Sequence, residues 1–136
     1  MPKIGHVLET ALYVDDLARA KEFYSQHFDL SLLVTDARMC AFALGQSVLL
    51  LFQRGGGLEP SKLPGGVIPP HDGHGPLHVA FAIAADDLPA WERKLEHAGI
   101  EIESRVRWPL GGESIYFRDP DGHLLELATP GLWANY

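Results

Sequence analysis

Apolar and polar residues alternate in the first half of the chain in a way that predicts one helix among four strands. Residues 5–14 alternate loosely and predict a strand that ends at an Asp-Asp pair. Apolar side chains from Leu17 to Phe28 then recur at helical spacing, and Asp16 is a suitable N-cap. The strands predicted after this helix are residues 30–35, 39–44 and 47–53.

The second half repeats this order. Residues 77–84 predict a strand, and a helix follows from Asp86 to about Ala98, with a proline in its first turn. Three further strands are predicted at residues 101–107, 112–118 and 123–128. The tripeptide Asp-Asp-Leu opens the helix in both halves. The sequence therefore predicts an α+β fold with two βαβββ modules, at about 5–53 and 77–129, in a single domain over residues 1–136.

The segment that joins the two modules, residues 54–76, is rich in glycine and proline and has no periodic pattern. Irregular segments of this length in a small domain are usually functional lids or linkers. We therefore predict a loop with a role at the site.

Composition and net charge exclude some classes of binding partner. The chain has 136 residues, 46% of them hydrophobic, a net charge of −7 and no run of Lys or Arg. This charge argues against nucleic acid and anionic membranes as partners. Cys40 is the single cysteine, so no intrachain disulfide forms, and the first residues do not resemble a signal peptide. We expect a cytoplasmic protein with a small-molecule substrate.

Three metal-capable side chains fall on predicted inward strand positions. By strand alternation, Glu9, His78 and Glu126 point away from the helices. Glu126 lies among leucines, where a carboxylate is expensive to bury without a partner, and a metal ion is one such partner. The alternative is that Glu126 lies on a hydrated strand face.

Three segments carry a resemblance to a known family: VLETALYVDDLARAKEFY, GPLHVAFAIAADDL and ESIYFRDPDGHLLELA. Together they resemble the vicinal oxygen chelate superfamily, which includes glyoxalase I, extradiol dioxygenases, fosfomycin-resistance transferases and bleomycin-resistance proteins. The resemblance spans about residues 4–129. It implies that the modules form a curled mixed sheet around a divalent metal (Fe, Mn, Ni or Zn) held by Glu9, His78 and Glu126.

The resemblance also implies a homodimer, with the site either within one chain or shared across two chains. Tyr116 and Arg118 match cavity positions. Tyr116 either donates a hydrogen bond to a metal-bound oxyanion or only fills space inside the curled sheet. Trp108 is expected at the pocket mouth or in the core. His71 in the loop is a candidate proton shuttle, and Glu9 could also act as a base.

Two departures limit the function that the resemblance implies. Leucines stand at 49–51, where glyoxalase I relatives have a fourth ligand, and no cationic set suited to a phosphonate is evident. The leading hypothesis is a divalent-metal enzyme of the glyoxalase or dioxygenase type that stabilises an enolate or oxyanion. The alternatives are a metal-free drug- or metabolite-binding dimer of the bleomycin-resistance type and a scaffold with a vestigial site.

Overall fold

The computed structural model describes all 136 residues, which fold into two compact units, Met1–Gly75 and Pro76–Tyr136. Each unit contains one α-helix and one four-stranded mixed sheet in the order strand, helix, three strands. The predicted α+β class and the duplicated βαβββ modules are confirmed. That the two units make one domain stays a prediction.

In the first unit, the first and last strands lie side by side and are parallel, while the other neighbours are antiparallel. The sheet order is β1-β4-β3-β2. The elements are β1 (Glu9–Val14), α1 (Leu17–Phe28), β2 (Leu32–Thr35), β3 (Met39–Leu44) and β4 (Ser47–Gln53), followed by the hairpin strands β5 (Ser61–Leu63) and β6 (Gly66–Ile68).

The second unit repeats the arrangement, with sheet order β7-β10-β9-β8 and β7 parallel to β10. A 3-10 turn at Ala85–Asp87 precedes its helix. The elements are β7 (His78–Ala82), α2 (Leu88–His97), β8 (Ser104–Arg107), β9 (Glu113–Arg118) and β10 (Leu124–Ala128).

Each sheet has one apolar face that is mostly buried. The opposite face, here called the open face, carries most of the partly exposed positions, although Ser114 and Glu126 on it are buried. In β1, Leu12 and Val14 are buried, whereas Glu9 is exposed. The helix α1 packs on β3 and β4, and its first turn is capped by Asp16, whose side chain accepts the Arg19 N–H at 3.0 Å. Such a cap stabilises a helix by about 1 kcal/mol. The buried faces form the cores, and the open faces carry the candidate chemistry.

Three predicted boundaries or segments were wrong. The first strand begins at Glu9 rather than at residue 5, because residues 5–8 are exposed and only Val7 and Leu8 bond to β4. The strand predicted at 101–107 begins at Ser104. The joining loop contains the β5–β6 hairpin, which periodicity could not reveal because its strands have three residues each. Neither α1 nor α2 has the length and apolar character of a membrane-spanning segment.

Candidate functional site

A histidine and a glutamate meet on the open face of the second sheet. His78 Nε2 lies 3.2 Å from Glu126 Oε1. The two residues come from the adjacent parallel strands β7 and β10, where Leu124 pairs with His78 and Glu126 pairs with Ala80. The small Ala80 side chain leaves room for the imidazole and the carboxylate to approach each other. The Glu126 residue is only 4% exposed, whereas the His78 side chain is 49% exposed.

The other nitrogen of this imidazole is fixed by the backbone. His78 Nδ1 lies 2.8 Å from the carbonyl oxygen of Leu124. A carbonyl can only accept, so Nδ1 donates and carries a proton. Nε2 therefore either carries a second proton that it donates to Glu126 or directs a lone pair at the carboxylate. The second state needs either a proton on the carboxyl group or a cation between the two groups.

A hydrogen-bond chain orients the far side of the Glu126 carboxylate. Ser114 Oγ donates to Glu126 Oε2 at 2.6 Å, and Trp108 Nε1 donates to Ser114 Oγ at 2.8 Å. The indole N–H can only donate, so the single hydroxyl proton of Ser114 is directed to the carboxylate. The chain offsets part of the cost of burying Glu126 and leaves Oε1 facing His78. Trp108 thus contacts the site through Ser114.

Tyr116 lies directly opposite Glu126 in the antiparallel β9–β10 pair. Its ring stacks on the His78 ring, with centroids 6.3 Å apart. Burial, and then the negative charge of Glu126, raise the pKa of Tyr116 above its usual value. The phenol therefore keeps its proton at neutral pH, and in this structure it donates a hydrogen bond to Glu126.

Arg118 lies on the same face of β9, but its guanidinium is already engaged. Its Nε lies 2.9 Å from Glu103 Oε2, and another of its nitrogens donates to the Gly122 carbonyl at 3.0 Å. The remaining side chains on the open face of this sheet include no lysine or other arginine. The face therefore has no uncommitted cation for a multiply charged anion.

The first unit holds the other two sequence-predicted residues, Glu9 and His71. Both line one cavity of about 540 Å³ between the open face of the sheet and the loop. His71 Nδ1 lies 2.7 Å from the Tyr13 hydroxyl. The backbone N–H of His71 donates to the Gly57 carbonyl at 2.9 Å. Burial, and then the charge of Asp72, raise the pKa of Tyr13. Tyr13 therefore stays a phenol at neutral pH and holds the loop against the sheet.

The donor set of the second unit fits two ligands of a divalent metal. Metal bonds to histidine nitrogen and carboxylate oxygen are about 2.1 Å long, so the 3.2 Å between Nε2 and Oε1 suits adjacent ligand atoms of one ion. The Nδ1 bond of His78 to a backbone carbonyl is the usual second-shell support. No third His, Cys, Asp or Glu of this unit joins the pair. Glu9 as the third ligand stays a prediction.

Sequence reasoning missed three residues that organise these sites. Ser114 shares the face of Tyr116, and that alternation was a usable signal. His123 is fully buried, and its Nδ1 accepts the Leu77 N–H at 2.9 Å beside the start of β7. The bond of Tyr13 to His71 joins residues far apart in sequence, so no local pattern could indicate it.

Comparison with known families and proteins gives a consistent result. Residues 3–127 match the family model described as "Glyoxalase/Bleomycin resistance protein/Dioxygenase superfamily". Among curated proteins, a metallothiol transferase FosB of Bacillus licheniformis is 35% identical over 127 residues, which cover 93% of this chain and 74% of that protein. A glutathione transferase FosA of Serratia marcescens is 41% identical over 58 residues, covering 43% and 40% of the two chains.

Among solved structures, a lactoylglutathione lyase from Agrobacterium tumefaciens superposes with a TM-score of 0.89 at 31% identity, covering 98% of this chain and 99% of that chain. The fosfomycin resistance protein FosX from Mesorhizobium loti gives a TM-score of 0.61 at 26% identity, covering 92% and 91%. These relatives are named as enzymes or resistance proteins with different reactions. They support an enzyme and leave the reaction open.

Proposed function

The chain belongs to the Glyoxalase/Bleomycin resistance protein/Dioxygenase superfamily, and from that premise we propose that it is a divalent-metal-dependent enzyme acting on a small oxygen-rich molecule. The bound ion would supply Lewis-acid polarisation of substrate oxygens. His78 and Glu126 would hold it, with Glu9 as the third protein ligand. Iron, manganese, nickel and zinc are the candidate metals, because a set of one imidazole and two carboxylates suits each of them.

The observation that carries this proposal is the arrangement around His78. Its Nδ1 proton is committed to the Leu124 carbonyl, and its Nε2 faces a buried carboxylate oxygen. An ordinary surface ion pair needs neither the fixed tautomer nor the Ser114 hydrogen bond on the far oxygen. Both features are what a metal-ligating pair requires.

The other residues act on the substrate. The Tyr116 phenol donates a hydrogen bond to a substrate oxygen as that oxygen becomes negative, and so stabilises an oxyanion or enolate. Glu9 removes a proton when it is not engaged as a ligand, and His71 carries protons at the cavity of the first unit. Trp108 and Ser114 hold the Glu126 carboxylate in one orientation. Arg118, which is already paired with Glu103, contributes a hydrogen-bond donor at the edge of the open face of the second sheet.

Three reaction classes follow from the family and the relatives, and the residues favour one of them. A glyoxalase-like lyase or isomerase reaction needs an oxyanion donor and a base, which Tyr116 and Glu9 supply. Transfer of a thiol to fosfomycin needs cations for a phosphonate, and the one arginine on this face is occupied by Glu103. We therefore rank hemithioacetals first as test substrates, then catechols for dioxygenase chemistry, and fosfomycin with a thiol last.

Elemental analysis of the purified protein, after loading with each candidate metal, tests the proposal. About one divalent ion per chain is expected, and Glu9→Gln, His78→Ala and Glu126→Gln should each lose it. His97→Ala, which removes an exposed imidazole from the end of α2, is the matched control and should bind as the parent does. A parent that remains metal-free with every metal, or variants that all keep the ion, would exclude the proposal.

A second candidate is a metal-free binding protein for a drug or metabolite. It is favoured by the cavity of the first unit, which is about the size of a small-molecule site and is lined largely by apolar and aromatic side chains. In that case the His78→Ala variant would retain full ligand affinity.

In either case we propose a homodimer, which light scattering on the purified protein would test.

A further inference from the structure

The cavity of the first unit has an apolar wall built from aromatic rings. Tyr13 stacks on Phe52, with centroids 5.9 Å apart and planes inclined by 25°. His71 meets Phe52 edge-on at 4.6 Å. Leu50 and Met39 continue the same wall on the neighbouring positions of the sheet. Such a surface suits a flat apolar ring, which gains both area burial and ring stacking.

A fixed and unpaired cation lines the same cavity. The Arg38 guanidinium donates to the Gly56 carbonyl at 3.3 Å and to Ser61 Oγ at 3.1 Å, which anchors it to the loop. It has no ion-pair partner, whereas Arg54 is paired with Asp15 and Arg118 with Glu103. A guanidinium has five N–H donors, so several remain free for an anion.

Neither carboxylate that lines the cavity forms an ion pair with Arg38. Asp36 keeps its negative charge, but its Oδ1 accepts the backbone N–H groups of Arg38 and Met39 at 2.7 and 3.0 Å, so that oxygen is directed at the backbone and not at the guanidinium. Glu9 lies at the other end of β1, four residues before Tyr13, which is roughly 13 Å along a strand. The guanidinium donors therefore remain available beside the aromatic rings, and Glu9 lies away from them.

We propose that this cavity binds a flat aromatic anion, with its ring against Phe52 and Tyr13 and its carboxylate on Arg38. All residues that carry this inference lie in the first unit, and it does not depend on a metal at His78 and Glu126. If the proposed metal function holds as well, the inference names the aromatic carboxylates as the class from which substrates should be drawn.

The probe is 1-naphthoate, compared with the neutral 1-naphthalenemethanol of similar shape. Titration calorimetry should show saturable binding of both molecules, with about tenfold higher affinity for the anion, because a charge-assisted pair strengthens the contact. Arg38→Met should remove most of that preference and change the affinity for the alcohol by less than about twofold. Arg107→Met, which removes an exposed arginine of the second unit, is the matched control.

One further variant tests the aromatic wall, and removal of metal separates this inference from the metal proposal. Phe52→Leu should weaken both molecules, because it removes the ring but keeps an apolar side chain. The same titrations of the parent after treatment with a chelator should show the same preference for naphthoate, because the inference does not depend on a bound metal. Amide NMR shifts should locate the naphthoate at first-unit residues.

Three outcomes would overturn the inference. They are equal affinities for the anion and the alcohol, a preference for the anion that survives Arg38→Met, and absence of saturable binding for both molecules. In each of these cases a metal-replete parent would leave the proposed metal function standing. If the parent binds no metal but prefers naphthoate as predicted, the inference stands and the proposed metal function is excluded.

Discussion

The two units have the same ladder registers but opposite chemistry on their open faces. In the second unit Glu126 lies between Ala80 and Tyr116, whereas in the first unit Leu50 lies between Ala11 and Ala41 at the matching position. One position further along the same face, Ser114 of the second unit corresponds to Met39 of the first. The same backbone thus presents a polar pair in one unit and an apolar wall in the other.

The difference shows which positions the fold constrains. Positions that face the helix are apolar in both units, because the core must be filled in either case. Positions on the open face are not held by packing in this way, so a carboxylate, a leucine, a serine or a methionine can stand there. Function therefore concentrates on the open faces, and the duplicated backbone allows the two faces to serve different roles.

The largest effect should come from the cores, where the two units match. Phe42 and Phe117 are both fully buried and hold equivalent ladder positions, opposite Leu49 and Leu125. Replacement of either by alanine should lower the free energy of unfolding by about 3–5 kcal/mol, measured by urea titration. The exposed Leu32→Ala should cost far less. A loss below about 1 kcal/mol in only one unit would contradict the equivalence of the cores.

A pH-dependent difference should distinguish Cys40 from its apolar counterpart Ile115. Burial raises the pKa of the Cys40 thiol to about 11 from an ordinary value of 9.0. The unfolded chain then ionises first as the pH rises, so the stability present below about pH 9 should fall as the pH approaches 11. The difference in unfolding free energy between the parent and Cys40→Val should change by on the order of 2 kcal/mol.

The same burial should protect this thiol from reagents. At pH 8 Cys40 should react with an aromatic disulfide reagent only slowly in the folded protein and rapidly in urea, since the thiolate is the reactive form. Rapid modification of the folded chain at pH 8, or an unfolding free energy whose pH dependence matches that of Cys40→Val, would show that the thiol is not sequestered.

The hydrogen-bond chain from Trp108 through Ser114 to Glu126 should increase the metal affinity of the second unit. Ser114→Ala removes the hydrogen bond to Glu126 Oε2 and the acceptor of the Trp108 N–H. Loss of such a support should weaken metal affinity by about tenfold, measured by competition with a chelator. Ser104→Ala on the same face, and Met39→Ala at the matching position of the first unit, are the controls. Equal affinities for the parent and the serine variant would show that Ser114 is dispensable.

The smallest effect concerns the loop over the first unit. Tyr13→Phe removes the hydrogen bond to His71 and should loosen the loop by about 1 kcal/mol. Trypsin cleavage at Lys62, within the β5–β6 hairpin, should become several-fold faster. Cleavage at Lys94 in α2 is the internal reference. An unchanged rate at Lys62 would mean that the Gly57 and Arg38 contacts are enough to hold the loop.

Local pattern was sufficient for most elements and for the faces of the strands. The pleat sends alternate side chains to opposite faces, so the apolar positions of β10 were enough to assign Glu126 to the open face. The start of β1 and the β5–β6 hairpin were missed for a common reason. Their residues have neither a buried face nor enough length to show a period.

By itself, the sequence determined the two modules, their helices and the residues that face away from the cores, because burial imposes a period on the chain. Only the tertiary structure decided what those residues do. It brought His78 onto Glu126, set Ser114 and Trp108 behind the carboxylate, and joined Tyr13 to His71. These contacts link residues from 6 to 58 positions apart, and a hydrogen bond depends on distances and directions that only the folded chain fixes.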